Sequence, residues 1–399
     1  MSDDALGPVP PHQVTPPPTE PNHEPADVPA VPGDVPTAPD GMPDDAPVEL
    51  ASRRSMTLSI SLLATSVLLA VLVVLPAPYA VTSPGPTRDT LGDQGGVPLI
   101  SISGAPTYPS TGQLRLVTVS STGGPGYPST LTAVVRGWFE GATAIAPVEV
   151  MYPPELSRSQ IDQSNQQQMV SSQENATVAA LEELGYVVPA TLTIAGTQDG
   201  SGAAGVLLKD DVLVTLDGAP LTTFTQLTDS LKATAAGSTV HLGITRAGAP
   251  VDVDVVTGAR DGGGSQLGVF VDPVFDLPID VKIKIDDIGG ASAGTMFALG
   301  IIDKLTPEDE ANGQVIAGTG TMDASGDVGE IGGIRQKLAG ARRDGATWFL
   351  APASNCSDVV GHVPSGLRVV RVATLHEARE AVIAIGAGAA DSLPTCTAG

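Results

Sequence analysis

The stretch GGASAGTMFALGIIDKL, residues 289–305, joins a pair of glycines to an apolar segment without proline. The part from Ser292 to Leu305 is predicted to be a helix, and the two glycines separate it from the strand-like run VKIKI. Gly289 and Gly290 can adopt positive φ angles and let another backbone approach closely. The sequence therefore predicts a serine hydroxyl at a glycine-hinged helix start.

Two interpretations of Ser292 remain open from these residues. At a helix start the backbone N–H groups of Ala291, Ser292 and Ala293 lack helical partners and carry partial positive charge, so they can hold an oxyanion. Alternatively, Ser292 is the N-cap of the helix, a role that contributes about 0.5–2 kcal/mol of stability.

A lysine in the later stretch GGIRQKLAGARR, residues 332–343, raises a related question. Ile334, Leu338 and Ala341 have helical spacing, and Lys337 lies within this apolar stripe. A lysine that faces a core loses hydration, so its pKa falls towards neutrality and it can act as a general base for a serine nucleophile. The alternative is a side chain that extends along the core and keeps its ammonium in water.

Three segments resemble the proteolytic domain of Lon proteases: DDIGGASAGTMFALGIIDKL (286–305), IAGTGTMDASGDVGEIGGIRQKL (316–338) and GARRDGATWFLAPASNC (340–356). The resemblance implies Ser292 as nucleophile, Lys337 as general base and Thr319 as a hydrogen-bond partner of the lysine. Two positions depart from the family pattern, since Ala291 replaces the usual proline and Gly289 replaces an aspartate of the ATP-dependent enzymes.

Nucleotide and metal chemistry are not expected. The sequence has no G-x-x-x-x-G-K-(S/T) loop to cradle phosphates, and its five histidines show no metal-binding spacing. We therefore expect no cofactor, no metal and no nucleotide partner, and polypeptides as the substrates. The net charge of −24 also argues against nucleic acid as a partner.

The first part of the chain predicts a membrane-anchored protein. Residues 1–52 are rich in proline and acidic residues and are expected to form a disordered cytoplasmic tail. Residues 53–78 are predicted to be a single-pass anchor in the lipid bilayer, with the uncharged run Met56–Leu75 long enough to span it. Arg53 and Arg54 favour a cytoplasmic N-terminus and extracytoplasmic domains. A signal peptide cleaved near Ala80 is the alternative.

Residues 83–185 and 259–386 are predicted to be two parts of one Lon-like domain. The segments SPGPT (83–87), QLRLVTV (113–119) and YPP (152–154) resemble the PDZ-containing Lon-like proteases of Gram-positive bacteria, often called YlbL-like. Residues 113–120 alternate as in a strand, and 159–184 have the pattern of a helix that ends at Gly185.

Residues 186–258 are predicted to form a PDZ domain inserted between those parts. GVLLKDDVLVTLDG (205–218) looks like its central hairpin, Thr223–Ala233 its helix, and Thr239–Arg246 and Val251–Val256 two further strands. PDZ domains bind an extended peptide at a sheet edge. Residues 186–194 are expected to face that peptide, with the contacts made by Tyr186, Val187 and Val188. A purely structural β-sandwich is the alternative.

Cys356 and Cys396 are the only cysteines, and outside the cytoplasm such a pair predicts a disulfide that fastens the tail 387–399. Two free thiols are the alternative. Together these features predict an α+β fold: an N-terminal transmembrane helix, a Lon-like α+β proteolytic domain and an inserted β-rich PDZ domain. The predicted function is ATP-independent Ser-Lys proteolysis, with homo-oligomers through the Lon-like domain. A catalytically silent PDZ-bearing scaffold is the competing hypothesis.

Overall fold

The computed structural model describes residues 53–153, 155–260, 263–286 and 288–397. The predicted cytoplasmic tail, residues 1–52, therefore lies outside the described residues. The first helix, α1, covers Arg53–Val74 and buries none of its side chains. It is long and apolar enough to cross a membrane by length and composition. The structure is thus compatible with one membrane span at the predicted place.

The elements before the insert are β1 Pro76–Ala77, β2 Tyr79–Asp89, β3 Asp93–Gln94, β4 Val97–Pro98, β5 Ile100–Ser103, β6 Gln113–Thr122, β7 Ser129–Thr130, α2 Leu131–Phe139, β8 Ala144–Pro147, α3 Val148–Met151 and α4 Arg158–Glu183. The insert contains β9 Ala190–Thr197, β10 Val212–Leu216, β11 Ala219–Pro220, α5 Phe224–Ala233, β12 Thr239–Arg246, β13 Ala249–Val256, β14 Gly258–Ala259, β15 Ser265–Gln266 and β16 Val269–Phe275. The remaining elements are β17 Asp280–Ile283, α6 Gly294–Leu305, β18 Val315–Gly318, β19 Thr321–Met322, β20 Val328–Gly329, α7 Ile334–Arg343, β21 Trp348–Pro352, α8 Cys356–Val359, β22 Arg368–Val372 and α9 Leu375–Gly386, with short 3₁₀ turns at Ala353–Asn355 and Ala390–Ser392. This mixture confirms the predicted α+β class.

A six-stranded sheet in the order β22-β21-β18-β6-β2-β8 organises the main body. β22, β21, β18 and β6 run parallel, while β2 is antiparallel to both β6 and β8. Half of these strands precede the insert and half follow it, so one sheet joins the two parts of the chain. Every residue of β21 is buried, as expected for a central strand covered on both faces.

Helices cover both faces of this sheet. Ile316 and Leu350 point towards α4, α6 and α9, with which they form one apolar cluster. Their neighbours Ala317 and Phe349 point the other way and pack against α7 through Ile334, Leu338 and Ala341. Because successive strand residues face opposite sides, α6 and α7 lie on opposite faces of one sheet. The N-terminal ends of α6 and α7 can therefore approach each other only beyond the end of a strand in this sheet.

The insert is a second sheet in the order β13-β12-β10-β9-β16, with β11 paired to β10. Leu227 and Leu231 of α5 are buried in its apolar core, as predicted. Thr223 caps α5 in a reciprocal pair with Gln226, which explains why the helix begins at Phe224.

Two predictions about the insert are wrong. The boundary at residue 258 is too early, because β16 completes the sheet by pairing with β9 over Val269–Phe275. The expectation that residues 186–194 form the peptide-facing strand and its approach loop is wrong for the strand, because β9 is paired with β10 on one side and β16 on the other. Val188 is fully buried among Val178, Leu181 and neighbouring residues, so it faces a core instead.

Other predicted elements agree closely with the structure. α4 begins one residue before the predicted helix, at a capping box formed by Ser157 and Gln160, and it ends at Glu183, two residues before Gly185, which has a φ of 84°. The predicted disulfide is formed: Cys356 at the start of α8 is bonded to Cys396, with their Cα atoms 5.0 Å apart. Cys396 packs against the core beside α7.

Candidate active site

Ser292 lies in a tight loop in front of α6. Gly290 has a φ of 89°, and Ala293 acts as N-cap without any side-chain hydrogen bond to the helix. The helix begins at Gly294, two residues later than predicted. The capping interpretation of Ser292 is therefore wrong, and the serine hydroxyl has no role in starting the helix.

The serine loop is held by its backbone. The carbonyl oxygen of Ser292 accepts hydrogen bonds from the N–H of Gly320 at 3.0 Å and from Oγ1 of Thr319 at 2.9 Å. On the other side, Ser172 Oγ of α4 donates to the carbonyl oxygen of Ala291 at 3.0 Å. The loop is thus fixed between α4 and the residues that follow β18, which leaves the Ser292 side chain free to face the neighbouring cleft.

Lys337 is buried, with only 2% of its surface exposed. It lies in the first turn of α7, and its Nζ donates to Thr319 Oγ1 at 3.0 Å. No carboxylate among the described residues pairs with this ammonium. Burial lowers the pKa of Lys337 from 10.5 to about 7. The interpretation in which the ammonium reaches water is therefore wrong for this lysine.

Thr319 connects the serine loop to the lysine. It follows directly after β18, is fully buried, accepts from Lys337 Nζ and donates to the carbonyl oxygen of Ser292. Ser292 and Lys337 also line the same cleft, of about 470 Å³. Among the described residues no hydrogen bond joins Ser292 Oγ to Lys337 Nζ directly. The structure thus brings together the three residues that the sequence singled out, with the threonine between the other two.

Backbone donors are available beside Ser292. No described residue accepts a hydrogen bond from the N–H groups of Ala291, Ser292 or Ala293, whereas the next two N–H groups, at Gly294 and Thr295, bond to the carbonyl oxygens of Ala291 and Gly320. These three N–H groups directly precede the positive end of α6. The arrangement can stabilise negative charge next to the serine.

One wall of the cleft is the edge of strand β6. β18 pairs with β6 only over Gln113–Leu116, so β6 from Val117 onward has no strand partner on that edge among the described residues. This unpaired edge lines the cleft from Val117 to Ser121. Glycines line the cleft elsewhere, and a Cβ at Gly333 would lie 2.8 Å from Val119 Cγ1.

Gly289 is explained by its packing. A side chain at this position would bring its Cβ within 2.7 Å of Asn165 Cβ on α4. The aspartate found there in ATP-dependent Lon enzymes would therefore clash with α4 in this structure. Asn165 also accepts a hydrogen bond from Gly290 N–H through its carbonyl oxygen, at 3.0 Å.

Some contributors were missed from the sequence. Ser172 is a buried polar residue on the apolar face of α4, a pattern that indicates a polar contact in the core but does not identify its partner, the carbonyl oxygen of Ala291. The free edge of β6 depends on where β18 stops and left no mark in the sequence. Tyr186 and Val187 border a separate groove of about 720 Å³ beside α5, which shares no lining residue with the cleft that contains Ser292. Among the described residues no group of His, Cys, Asp and Glu could hold a metal ion.

Comparison with known proteins bears on residues 283–384, which match the Lon protease (S16) C-terminal proteolytic domain. The archaeal Lon protease of Methanocaldococcus jannaschii is 37% identical over 102 residues, which cover 26% of this chain and 15% of the relative. Lon protease 1 of Bacillus subtilis is 30% identical over 122 residues, covering 29% of this chain and 15% of the relative. The chain thus spans only 15% of the length of each of these relatives.

Solved structures with similarity to part of the chain include the PDZ domain of an SdrC-like protein from Listeria innocua, at 17% identity and a TM-score of 0.20. The aligned region covers 20% of this chain and 92% of the Listeria chain. The match to the Lon family contains Ser292, Thr319 and Lys337 within its limits. Residues 283–384 of this chain are therefore similar to the Lon protease (S16) C-terminal proteolytic domain.

Proposed function

We propose that the chain is a membrane-anchored serine endopeptidase that works without nucleotide, with Ser292 as nucleophile and Lys337 as general base. The observation that carries this proposal is the buried amine of Lys337. It has a pKa near 7, it has no carboxylate partner among the described residues, and it lies in the same cleft as Ser292. An amine that is half neutral near pH 7 can take a proton that an ordinary lysine cannot.

The acylation step follows from these groups. Neutral Lys337 Nζ accepts the proton of Ser292 Oγ while Oγ attacks the scissile carbonyl carbon, and the carbonyl electrons move to oxygen. The N–H groups of residues 291–293 donate to this oxyanion. The lysine ammonium then gives its proton to the departing amine nitrogen as the C–N bond breaks, leaving an acyl ester on Ser292.

Hydrolysis of the ester uses the same amine. Lys337 takes a proton from water, the hydroxide oxygen attacks the ester carbonyl, and the proton returns to Ser292 Oγ as the acid leaves. Thr319 holds Nζ in position throughout and is a positioning residue. Catalysis requires Ser292 Oγ to move within hydrogen-bond distance of Nζ, a tightening that is common when a substrate binds.

The form of the cleft favours an extended polypeptide as the substrate. The unpaired edge of β6 from Val117 to Ser121 offers backbone groups to a chain that adds as a further strand. The resulting register would carry the substrate backbone past Ser292. Because no phosphate-cradling loop is present in the sequence, we propose that the substrates are accessible or flexible segments that need no unfolding by ATP.

We also propose that the catalytic body is extracytoplasmic. Arg53 and Arg54 precede the apolar helix, and no lysine or arginine follows it until Arg88, which favours a cytoplasmic N-terminus. The disulfide between Cys356 and Cys396 supports an oxidising compartment.

The insert is proposed to select substrates as a PDZ domain, with its peptide at β16 instead of β9. β16 is the edge strand of the sheet, and it follows Gly268, which has a φ of 72°. Ser265 Oγ, just before it, donates to Leu231 O near the end of α5. A peptide that extends the sheet at β16 would therefore lie beside this helix.

Labelling with a serine-reactive peptide phosphonate tests the proposed chemistry. The full chain should be labelled at Ser292, and Ser292→Ala and Lys337→Ala should both abolish labelling and cleavage while the protein stays folded. Lys304→Ala is the matched control, because Lys304 lies at the end of α6 and outside the cleft. Labelling that survives Lys337→Ala would contradict the dyad, and a folded wild-type chain that is never labelled would favour a scaffold.

A further inference from the structure

α2 leaves an apolar face uncovered. Val135, Trp138 and Phe139 have the i, i+3, i+4 spacing of one helix face, and Trp138 and Phe139 are 66% and 86% exposed. The opposite face, with Val134 and Gly137, is buried. α2 is therefore fixed to the protein on one side and presents aromatic rings on the other.

The short helix α3 adds to this surface. Val150 is 73% exposed, and Met151, which follows it, is 44% exposed. We use the name collar for Val135, Trp138, Phe139, Val150 and Met151. Such a set of large exposed apolar side chains on a single protein normally marks an interaction surface.

The collar begins where the apolar helix α1 ends. Leu131 N–H, at the start of α2, donates to Leu75 O at 3.2 Å, and β1 pairs Pro76 with Thr130. Val148 N–H, at the start of α3, donates to Pro78 O at 3.2 Å. Both helices of the collar are thus hydrogen-bonded to the first residues after the apolar span.

These contacts limit how far the collar can lie from a bilayer. α2 has nine residues and is about 14 Å long at 1.5 Å per residue, so its rings stay close to the exit of the span. The polar layer on each side of a bilayer is about 5–8 Å thick, and tryptophan is enriched in that layer. The charged residues of the two helices are Arg136, which is paired with Glu140 at 2.6 Å, and the exposed Glu149 at the start of α3.

We propose that the collar docks into the interfacial layer of the lipid bilayer and holds the catalytic body against the membrane surface. This inference rests on the proposed membrane anchoring by α1. A second copy of the chain is the other occupant that such a surface could take. The hydrogen bonds from α2 and α3 to Leu75 and Pro78 favour lipid. They place the collar directly after the apolar span, at the depth where the lipid headgroups lie.

Docking has a consequence for the substrate class. Met151 belongs to the collar and also lines the cleft that contains Ser292 and Lys337. A docked collar therefore brings one wall of the cleft to the bilayer surface. The substrates that fit this position are segments of polypeptide that emerge from the same membrane or lie on it.

Tryptophan fluorescence tests the docking, because the sequence has only two tryptophans. The full chain with Trp348→Phe, in vesicles of phosphatidylcholine and phosphatidylglycerol, reports Trp138 alone. Acyl chains brominated near the headgroup should quench Trp138 strongly and its emission should lie to the blue of exposed tryptophan. The chain with Trp138→Phe is the matched control, because Trp348 is buried under Arg368 and should not be quenched.

Flotation of the vesicles separates the possible outcomes. If the chain floats with the vesicles but Trp138 is not quenched and emits as in water, anchoring stands and docking is refuted. If Trp138 is shielded without lipid quenching, and the shielding fades as the protein is diluted in the membrane, the collar is an interface between copies and docking is refuted. If the chain does not float, the anchoring proposal fails first and this inference fails with it. The difference between wild type and Trp138→Phe gives the same signal if Trp348→Phe does not fold.

Discussion

Replacing Lys337 with methionine should abolish catalysis and at the same time stabilise the protein near neutral pH. The pKa of Lys337 falls from 10.5 to about 7 because the ammonium is desolvated. The folded protein therefore binds fewer protons than the unfolded chain at pH values between these two pKa values. Lys337 therefore destabilises the folded protein most below about pH 7, and this destabilisation is lost as the pH rises towards the ordinary lysine pKa of 10.5.

The size of the effect follows from the two pKa values. A fall of about 3.5 in pKa corresponds to about 5 kcal/mol at 1.36 kcal/mol for each pKa unit, which is an upper bound because the loop can relax. Methionine fills a similar volume and does not carry the charge. It gives up the hydrogen bond to Thr319, but Thr319 Oγ1 still donates to the carbonyl oxygen of Ser292 and stays satisfied. We expect a net gain of a few kcal/mol at about pH 7 and almost none at about pH 10.

The measurement is the unfolding of wild type and Lys337→Met in urea, in the same detergent, at several pH values across this window. Lys209→Met is the control, because Lys209 is exposed in the turn before β10 and should give only a small difference at every pH. A Lys337→Met protein that is less stable than wild type at every pH would refute the reasoning. In that case the amine would be well solvated or compensated by a partner.

Three further predictions follow from other groups. In wild type, kcat/KM should rise with pH through a limb near pH 7, the pKa of Lys337, because only the neutral amine accepts a proton; a pH profile with no limb there would contradict this. Burial raises the pKa of Asp303 from 3.8 to about 6, so its charged form destabilises the folded protein. In urea unfolding, Asp303→Asn should raise the free energy of unfolding by up to about 3 kcal/mol above pH 6 and by almost nothing below pH 3.8. Asp327 accepts from Lys232 at 3.1 Å and Arg260 at 2.8 Å, and these half-exposed pairs contribute about 1 kcal/mol or less. Asp327→Asn should therefore change overall stability little but speed hydrogen exchange in residues 321–329, whereas unchanged exchange would show that the insert does not hold that hairpin.

Sequence patterns predicted best those elements whose ends carry their own signals. α4 and α5 both begin at capping boxes, so their bounds agree with the sequence to within one residue. The burial of Lys337 was also visible, because its neighbours Ile334 and Leu338 define the buried face of α7. The catalytic roles of these residues remain predictions.

Features that depend on pairing between distant segments could not be predicted in the same way. α6 begins two residues after its predicted start, because hydrogen bonds to Gly320 and Ser172 hold Ser292 in a loop before the helix. Both partners are far from Ser292 in the sequence. β16 was assigned to the wrong domain because a strand pattern alone does not say which sheet it joins. The free edge of β6 likewise depends on where its neighbour β18 ends.

The position of the insert explains how one site can be built from two distant parts of the chain. β6 comes before the insert and β18 after it, yet they pair in parallel over Gln113–Leu116 and Val315–Gly318. β18 then ends at Gly318, directly before Thr319, while β6 continues past it as the wall of the cleft. The same difference in strand length therefore creates both the gap into which Lys337 and Ser292 face and the edge that a substrate can extend. Lys232 and Arg260 of the insert pair with Asp327, eight residues after Thr319, so the insert also contacts the segment that follows this junction.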